Sequence, residues 1–215
     1  MSLSSAGMKV RQRVASLRSR LPRPTLAPAM SLSPGSRTGV SAILAGLLYF
    51  AGQAAQLAFG NALTPLWVAL VVLGIAAFVV AIWGLGGLVS TRTGRIGWRV
   101  CVAGVVLLGL FAVQAVITVA LAGDIPGNFI LFGLGFLLLF VGHVLIATGL
   151  RGALGRAWVL PLVGAAGILV AITLDIDPIH DIGLFVFEGA WVSLGIALVQ
   201  RERQHRAGNA ASALV

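Results

Sequence analysis

Residues 64–89 read TPLWVALVVLGIAAFVVAIWGLGGLV, a run that contains no charged side chain. A helix that crosses a bilayer needs about 20 largely apolar residues, and this run exceeds that length. The rest of the chain has the same character, since 59% of its 215 residues are hydrophobic, 10% are charged and the mean hydropathy is +1.03. A soluble domain carries about 25% charged residues. The stretch therefore predicts a transmembrane helix in an integral membrane protein.

Five other stretches of similar character predict five more transmembrane helices. Together the six lie at residues 39–60, 64–89, 98–122, 128–149, 157–174 and 181–200. The connections between them are short, so neighbours in sequence should be antiparallel neighbours in space. The sequence therefore predicts an all-α polytopic membrane helix bundle at residues 38–200, preceded by a basic arm at 1–37 and followed by a short tail at 201–215.

The basic residues are confined to one side of the six predicted spans. Seven lie in the arm, three in the second loop, two in the fourth loop and three in the tail, whereas the first, third and fifth loops contain none. Cytoplasmic loops carry the excess of Lys and Arg, so both termini are predicted to be cytoplasmic. Four of the six acidic residues, Asp124, Asp175, Asp177 and Asp181, then fall on the opposite side. An Ala-, Gly-, Val- and Arg-rich composition with one lysine favours a bacterial cytoplasmic membrane.

The arm contains no acidic residue and is rich in Arg, Ser and Pro. Val10, Val14, Leu17 and Leu21 recur at helical spacing between basic residues. That pattern is typical of a short amphipathic helix on an anionic cytoplasmic leaflet, and the Pro/Ser-rich remainder predicts a disordered linker. The arm could instead serve only to enforce topology. A signal peptide, an organellar transit peptide and a true start at Met30 stay open.

The sequence contains none of the catalytic or redox patterns HExxH, GxSxG, Walker loop or CxxC. Its single cysteine, Cys101, lies in an apolar segment, so no intrachain disulfide can form. We therefore expect neither an enzyme nor a cofactor. A net charge of +9 would favour nucleic acid in a soluble protein, but here the basic residues follow the topology. The expected partners are the lipid bilayer, anionic headgroups at the inner leaflet, and a second copy or an unknown membrane protein.

The two predicted inner loops resemble each other. WGLGGLVSTRTGRIGWRVCVAG spans the second and LIATGLRGALGRAWVLPLVG the fourth, and both contain Gly-Arg followed by Trp (Gly94, Arg95 and Trp98; Gly155, Arg156 and Trp158). Glycine ends a helix, arginine meets the headgroups and tryptophan anchors at the interface. These hairpins resemble those of small uncharacterised bacterial six-span integral membrane proteins. The resemblance implies that architecture and assigns no function.

The chain has 28 glycines, many for its length. Small residues let membrane helices approach closely, and van der Waals packing associates helices in lipid. Clusters that predict such contacts are Gly84/Gly86/Gly87, Gly133/Gly135 and Gly164/Gly167.

Polar side chains inside the predicted spans are the main functional candidates, because polar groups at membrane depth are costly. They occupy the outer halves of three spans at similar depth: Tyr49, Gln53 and Gln56 on the first, Gln114 and Thr118 on the third, and Glu188 on the sixth. Glu188 shares a helical stripe with Asp181 and Trp191 that should face the bundle, since an ionised carboxylate facing lipid costs several kcal/mol. We predict a ligand or proton site from Glu188, Gln53, Gln114, Tyr49, Gln56 and Asp181.

The stretch LDIDPIHDIG before the sixth span concentrates acidic residues. Asp177-Pro178 reads as a helix start, and Asp181 lies in the first turn, where the helix dipole favours negative charge. As a metal site, Asp175, Asp177, His180 and Asp181 are a weak match, because their spacing fits neither an EF-hand loop nor a zinc pattern. Capping therefore explains this loop better than metal binding does.

His143 lies in the inner half of the fourth predicted span, far in depth from His180. Two axial ligands must meet at one iron, so this separation disfavours haem ligation by the pair. A lone histidine in a membrane helix is more often an interhelical hydrogen-bond donor, and we predict that role for His143.

Two functional hypotheses of different class follow. The first is a non-catalytic integral membrane protein (a scaffold, partner subunit or sensor) in which Gln53, Gln114 and Glu188 hydrogen-bond one another, with Glu188 protonated because burial disfavours its charged form. The second is a small transporter or channel subunit that uses Glu188 as a proton or cation site behind a vestibule of Asp181 and Asp175. Placement of Glu188 beside Gln53 and Gln114 would favour a shared site. A helix order that separates the first, third and sixth spans would argue against it.

Overall fold

The computed structural model describes residues 33–122, 130–173 and 179–212, apart from the side chains of residues 61 and 63. Within these ranges the chain is helical and contains no strand. Six α-helices follow one another: α1 Pro34–Phe59, α2 Thr64–Leu85, α3 Arg92–Ala122, α4 Ile130–Leu154, α5 Leu160–Thr173 and α6 Ile179–Ser212. Short 3-10 turns follow α1, α2 and α4, at Gly60–Leu63, Gly86–Leu88 and Gly155–Val159. The predicted amphipathic helix at Val10–Leu21, and Asp124, Asp175 and Asp177, lie outside the described residues.

Five helical stretches are long and apolar enough to cross a membrane. They are Pro34–Phe59, Thr64–Leu88, Arg92–Ala122, Ile130–Thr173 and Ile179–Ser212. The fourth contains 44 residues, because α4 and α5 are joined through the 3-10 turn at Gly155. By itself α5 has 14 residues, which is shorter than the roughly 20 that a single crossing requires.

Several helices extend further than hydropathy predicted. Helix α1 begins at Pro34, five residues before the predicted 39, because Ser33 caps it by accepting a hydrogen bond from the backbone N–H of Ser36 at 3.3 Å and Pro34 occupies the first turn. Thr91 caps α3 in the same way, through the N–H of Gly94 at 3.0 Å. The part of the linker at Pro34–Arg37 is therefore helical and not disordered. The predicted tail is also helical as far as Ser212, since it is rich in Arg, Glu, Gln and Ala, which are good helix formers.

The six helices form a closed ring in chain order. Each helix packs against its neighbours in sequence, and α6 returns to pack against α1. Short connections explain the sequential contacts. The closing contact depends on glycine: a Cβ on Gly39 would lie 2.7 Å from the carbonyl oxygen of Gly195, and a Cβ on Gly46 would lie 2.6 Å from that of Glu188. The two backbones can approach this closely only because these positions carry no side chain.

Helices α3 and α4 pack along a second seam of small residues. A Cβ on Gly97 would lie 2.5 Å from the backbone nitrogen of Ile146, and one on Gly104 would lie 2.8 Å from the carbonyl oxygen of Gly135. Gly142 meets the Cys101 side chain in the same seam. Of the glycine clusters predicted to pack, Gly84, Gly86, Gly135, Gly164 and Gly167 contact a neighbouring element, whereas Gly87 and Gly133 face open space.

All described arginines lie at one end of the ring, called here the arginine-rich end. It comprises the start of α1, the last turn of α4, the turns after α2 and α4 with the helix starts that follow them, and the last part of α6. Its arginines are Arg37, Arg92, Arg95, Arg99, Arg151, Arg156, Arg201, Arg203 and Arg206. Contacts join these segments, since Ser90 donates its hydroxyl to the carbonyl of Gly149 at 3.2 Å. The guanidinium of Arg151 lies 4.1 Å from the centre of the Trp158 ring.

Candidate functional site

Glu188 lies in the first third of α6, where it is buried against α1 with 3% of its surface exposed. Its Oε2 atom has no hydrogen-bond partner among the described residues. Burial arises because α1 passes closely over the Glu188 backbone at Gly46. The prediction that Glu188 faces the bundle is confirmed. An unpartnered carboxyl oxygen at this depth is the least satisfied group of the α1–α6 seam.

Tyr49 is the polar side chain of α1 that approaches Glu188. It lies about one turn beyond Gly46, the residue at which α1 passes over the Glu188 backbone, and it is half-buried. Its ring also packs against α2, where a Cβ on Gly74 would lie 3.1 Å from the Tyr49 Cδ2 atom. The Tyr49 ring therefore lies in the contact between α1 and α2. Of the predicted candidates on α1, Tyr49 is the nearest in sequence to the point where α1 passes over Glu188.

Gln53 and Gln56 continue the same face of α1 towards its end, and both are half-buried. The backbone carbonyl of Gln56 accepts a hydrogen bond from the N–H of Gly60. Beside them, the indole Nε1 of Trp67 on α2 is buried without a hydrogen-bond partner among the described residues, and its ring edge lies 3.8 Å from where a Cβ on Gly52 would be. This end of the α1–α2 seam is polar, but no described hydrogen bond connects it to Glu188.

Gln114 and Thr118 lie apart from this group. Both are on α3, where the Thr118 hydroxyl donates to the Gln114 carbonyl of the same helix at 3.0 Å. Helix α3 packs against α2 and α4. In the ring, α2 therefore lies between α3 and α1, and α4 and α5 lie between α3 and α6. The expected hydrogen-bonded cluster of Gln53, Gln114 and Glu188 is therefore wrong for the described residues. Similar depth in the membrane did not imply the same position around the ring.

The predicted metal candidates form no cluster in the described part of the chain. His180 is in the first turn of α6, and its Nδ1 lies 2.7 Å from the carbonyl oxygen of Ala171, which means that it ties α6 to α5. Asp181 is also in that first turn, as predicted. No group of three or more His, Cys, Asp or Glu side chains suited to a metal ion is found among the described residues.

His143 is the centre of a buried arrangement that the sequence did not reveal. Its Nδ1 lies 2.6 Å from the carbonyl oxygen of Leu139, and its Nε2 lies 3.1 Å from the indole nitrogen of Trp191. A carbonyl only accepts and an indole N–H only donates, so His143 donates through Nδ1 and accepts through Nε2 as a neutral ring. The predicted interhelical hydrogen bond exists, but Trp191 on α6 is its donor and His143 on α4 its acceptor.

Aromatic rings surround this hydrogen bond and fill the middle of the ring of helices. Phe78 on α2 stacks on His143 with ring centres 6.4 Å apart and meets Trp191 edge to face at 4.4 Å. Phe187 packs edge to face on His143 at 5.8 Å, and Phe136 packs on Phe187 at 6.0 Å. Such offset and edge-to-face pairs are the favoured aromatic geometries. Helices α2, α4 and α6 therefore meet through one aromatic cluster: Phe78, Phe136, His143, Phe187 and Trp191.

We expect Trp191→Phe to lower the free energy of unfolding by about 1–3 kcal/mol, because His143 Nε2 then stays buried without a donor. Equilibrium unfolding in detergent measures the change. Trp83→Phe is the matched control, since Trp83 is 66% exposed, and its expected effect is within about 0.5 kcal/mol. Equal stability of Trp191→Phe and the natural protein would contradict a role for this hydrogen bond.

Comparison of the chain with protein-family models, with curated proteins and with solved structures found no match.

Proposed function

We propose that the chain crosses a bacterial cytoplasmic membrane six times, with both termini in the cytoplasm. The nine described arginines at one end of the ring support this orientation through the positive-inside rule. A sixth crossing is supported by α5, which packs against both α4 and α6 although it is short. The turn that lets α5 fold back contains Gly155 at a φ of 53°, a backbone conformation that glycine adopts without strain.

Within that membrane we propose a non-catalytic role, as a scaffold, a partner subunit or a sensor. The observation that carries this proposal is the aromatic cluster, which fills the middle of the ring where a transport path would pass. The middle of the ring is filled by Phe78, Phe187 and Trp191, and His143 has both ring nitrogens engaged. A chain of exchangeable polar groups is what ion or proton transfer requires. The expected partners are anionic lipid headgroups and a second copy or another membrane protein.

A small carrier that uses Glu188 as a proton or cation site is the second candidate. The specific observation in its favour is the Oε2 atom of Glu188, which lies between α1 and α6 without a hydrogen-bond partner among the described residues. Such an oxygen is available to bind a proton or a cation. Tyr49 would be its neighbour in such a site.

Reconstitution into proteoliposomes separates the two candidates. The non-catalytic proposal predicts no pH-dependent cation or proton flux above that of empty vesicles. Flux that disappears in Glu188→Gln, with expression and folding intact, would overturn it in favour of the carrier. Flux that survives in Glu188→Gln would contradict both assignments.

Glu188→Leu is expected to leave the free energy of unfolding unchanged or to raise it by about 1 kcal/mol. An unsatisfied buried polar atom is costly, and replacing it by an apolar group of similar size removes that cost. This expectation reverses the one that a hydrogen-bonded Gln53–Gln114–Glu188 cluster would give. Thermal unfolding in detergent measures the change, with Glu188→Gln as the control of equal shape. A loss of more than about 1 kcal/mol in Glu188→Leu would show that the carboxyl group stabilises the seam.

A further inference from the structure

Two adjoining grooves lie on α6 at the arginine-rich end. The first, of about 160 Å³, is formed by the start of α1, the turn after α2 and α6 itself, through Gly35, Leu88, Leu198, Arg201, Glu202 and His205. The second, of about 250 Å³, continues along α6 through Arg201, Gln204, His205, Gly208 and Asn209. Arg201 and His205 line both grooves. We propose that these two side chains bind the phosphate of an anionic lipid headgroup, an inference that rests on the cytoplasmic orientation proposed above.

The charges around the grooves leave Arg201 unopposed. Glu202 is the one acidic residue that lines them, and its Oε1 pairs with Arg206 at 3.4 Å. Its Oε2 is directed to the start of α1, where a Cβ on Gly35 would lie 2.9 Å away. The Glu202 charge is therefore offset by Arg206. Arg201 is half-buried and takes part in no ion pair among the described residues.

The side chains of the second groove suit a phosphate. It contains no carboxylate, and its side chains supply a guanidinium, an imidazole and two amides. A guanidinium forms two parallel charge-assisted hydrogen bonds with phosphate oxygens, which is the strongest arrangement that these residue types offer. Arg201 and His205 are four residues apart on α6, so both side chains reach the same face of the helix.

The first groove favours a lipid over free phosphate. Leu88 and Leu198 give it apolar contacts beside Arg201, as a headgroup attached to acyl chains requires. The position of the groove along α6 also fits the level of the lipid headgroups. With 34 residues α6 is about 50 Å long, whereas the hydrocarbon core is about 30 Å thick, so the helix passes through the headgroup level. Arg201 lies two residues after Val199, at the end of the apolar part of α6, where that level is reached.

Titration of the full-length protein in a zwitterionic detergent, followed by native mass spectrometry, tests the site. The probes are phosphatidylglycerol, phosphatidylcholine and inorganic phosphate. We expect phosphatidylglycerol to bind more tightly than phosphatidylcholine, and Arg201→Gln to weaken its binding about tenfold, as loss of a charge-assisted hydrogen bond does. Arg203→Gln is the matched control, because Arg203 has the same charge on the same helix and lines neither groove. The affinity of Arg203→Gln for phosphatidylglycerol should stay within about twofold of that of the natural protein.

Three results would overturn the proposal. They are equal binding of the two lipids, equal weakening by Arg201→Gln and Arg203→Gln, and displacement of phosphatidylglycerol by millimolar inorganic phosphate, which would assign the groove to free phosphate. The orientation is tested separately by Ser212→Cys, whose thiol should react with a membrane-impermeant reagent only from the cytoplasmic side. Cytoplasmic labelling without selective lipid binding would refute the site alone, and labelling from the outside would refute the orientation.

Discussion

Gly97→Leu is expected to lower the free energy of unfolding by about 3 kcal/mol, the upper part of the range for overpacked cores. A Cβ at this position would lie 2.5 Å from the backbone nitrogen of Ile146 and 2.6 Å from the Leu145 Cβ. These atoms are a backbone nitrogen of α4 and the first side-chain carbon of Leu145. They cannot move aside as the end of a flexible side chain would. The α3–α4 seam would have to open along its length. Equilibrium unfolding in mixed detergent micelles measures the loss.

Gly109→Leu is the matched control, because it makes the same change on the same helix. A Cβ on Gly109 meets nothing within 4 Å. Leucine is also a better helix former than glycine, so this variant should be neutral or more stable by up to about 1 kcal/mol. If the two variants lost equal stability, the α3–α4 glycines would not be setting the distance between their helices.

Phe78→Ala is expected to cost about 3–5 kcal/mol, as truncation of a buried aromatic side chain usually does. Phe78 is 1% exposed and contacts His143, Phe187 and Trp191 at the middle of the ring. Its removal leaves a cavity that three helices line, and none of them can close it without losing other contacts. The midpoint of thermal unfolding and the equilibrium free energy in detergent measure the effect.

Phe59→Ala controls for the loss of a phenyl ring as such. Phe59 is at the end of α1 and is 61% exposed, so its truncation should change stability by less than about 1 kcal/mol.

Phe78→Ala in proteoliposomes also tests whether the aromatic cluster seals the membrane against small solutes. If the aromatic cluster is what closes the middle of the ring, leakage of small solutes should rise in this variant and not in Phe59→Ala. A stable and impermeable Phe78→Ala protein would contradict the structural and the sealing role together.

Hydropathy predicted the helices well because polar backbone and charged side chains are costly wherever they face lipid. It located the middle of each helix and predicted that Glu188 faces inward. Helix ends were predicted less well, because they depend on local hydrogen bonds that hydropathy ignores. The Ser33-Pro34 pair and Thr91 are capping signals present in the sequence, but hydropathy places them outside the spans.

The position of a residue around the bundle was not predictable in the same way. Hydropathy places Gln114 and Glu188 at a similar depth in the membrane. In the closed ring, however, their helices α3 and α6 are not neighbours, so the two residues lie apart. The pairing of Trp191 with His143 was also missed. A signal for it existed, since a tryptophan on an inward stripe needs an acceptor for its indole N–H, and His143 on α4 offered one. Which glycines meet which neighbours, as Gly97 meets Ile146, depends on crossing geometry that residue types alone do not specify.

The contact between α1 and α6 has a consequence for how the protein is made. Its partners, such as Gly39 with Gly195 and Gly46 with Glu188, are separated by most of the chain, so they can meet only after the final helix has been synthesised and inserted. Until then the small-residue face of α1 is in contact with lipid or with whatever assists insertion. Contacts between residues so distant in sequence form late and slowly. Assembly should therefore finish at this seam, and a chain truncated before α6 should persist in the membrane as an open, protease-sensitive intermediate.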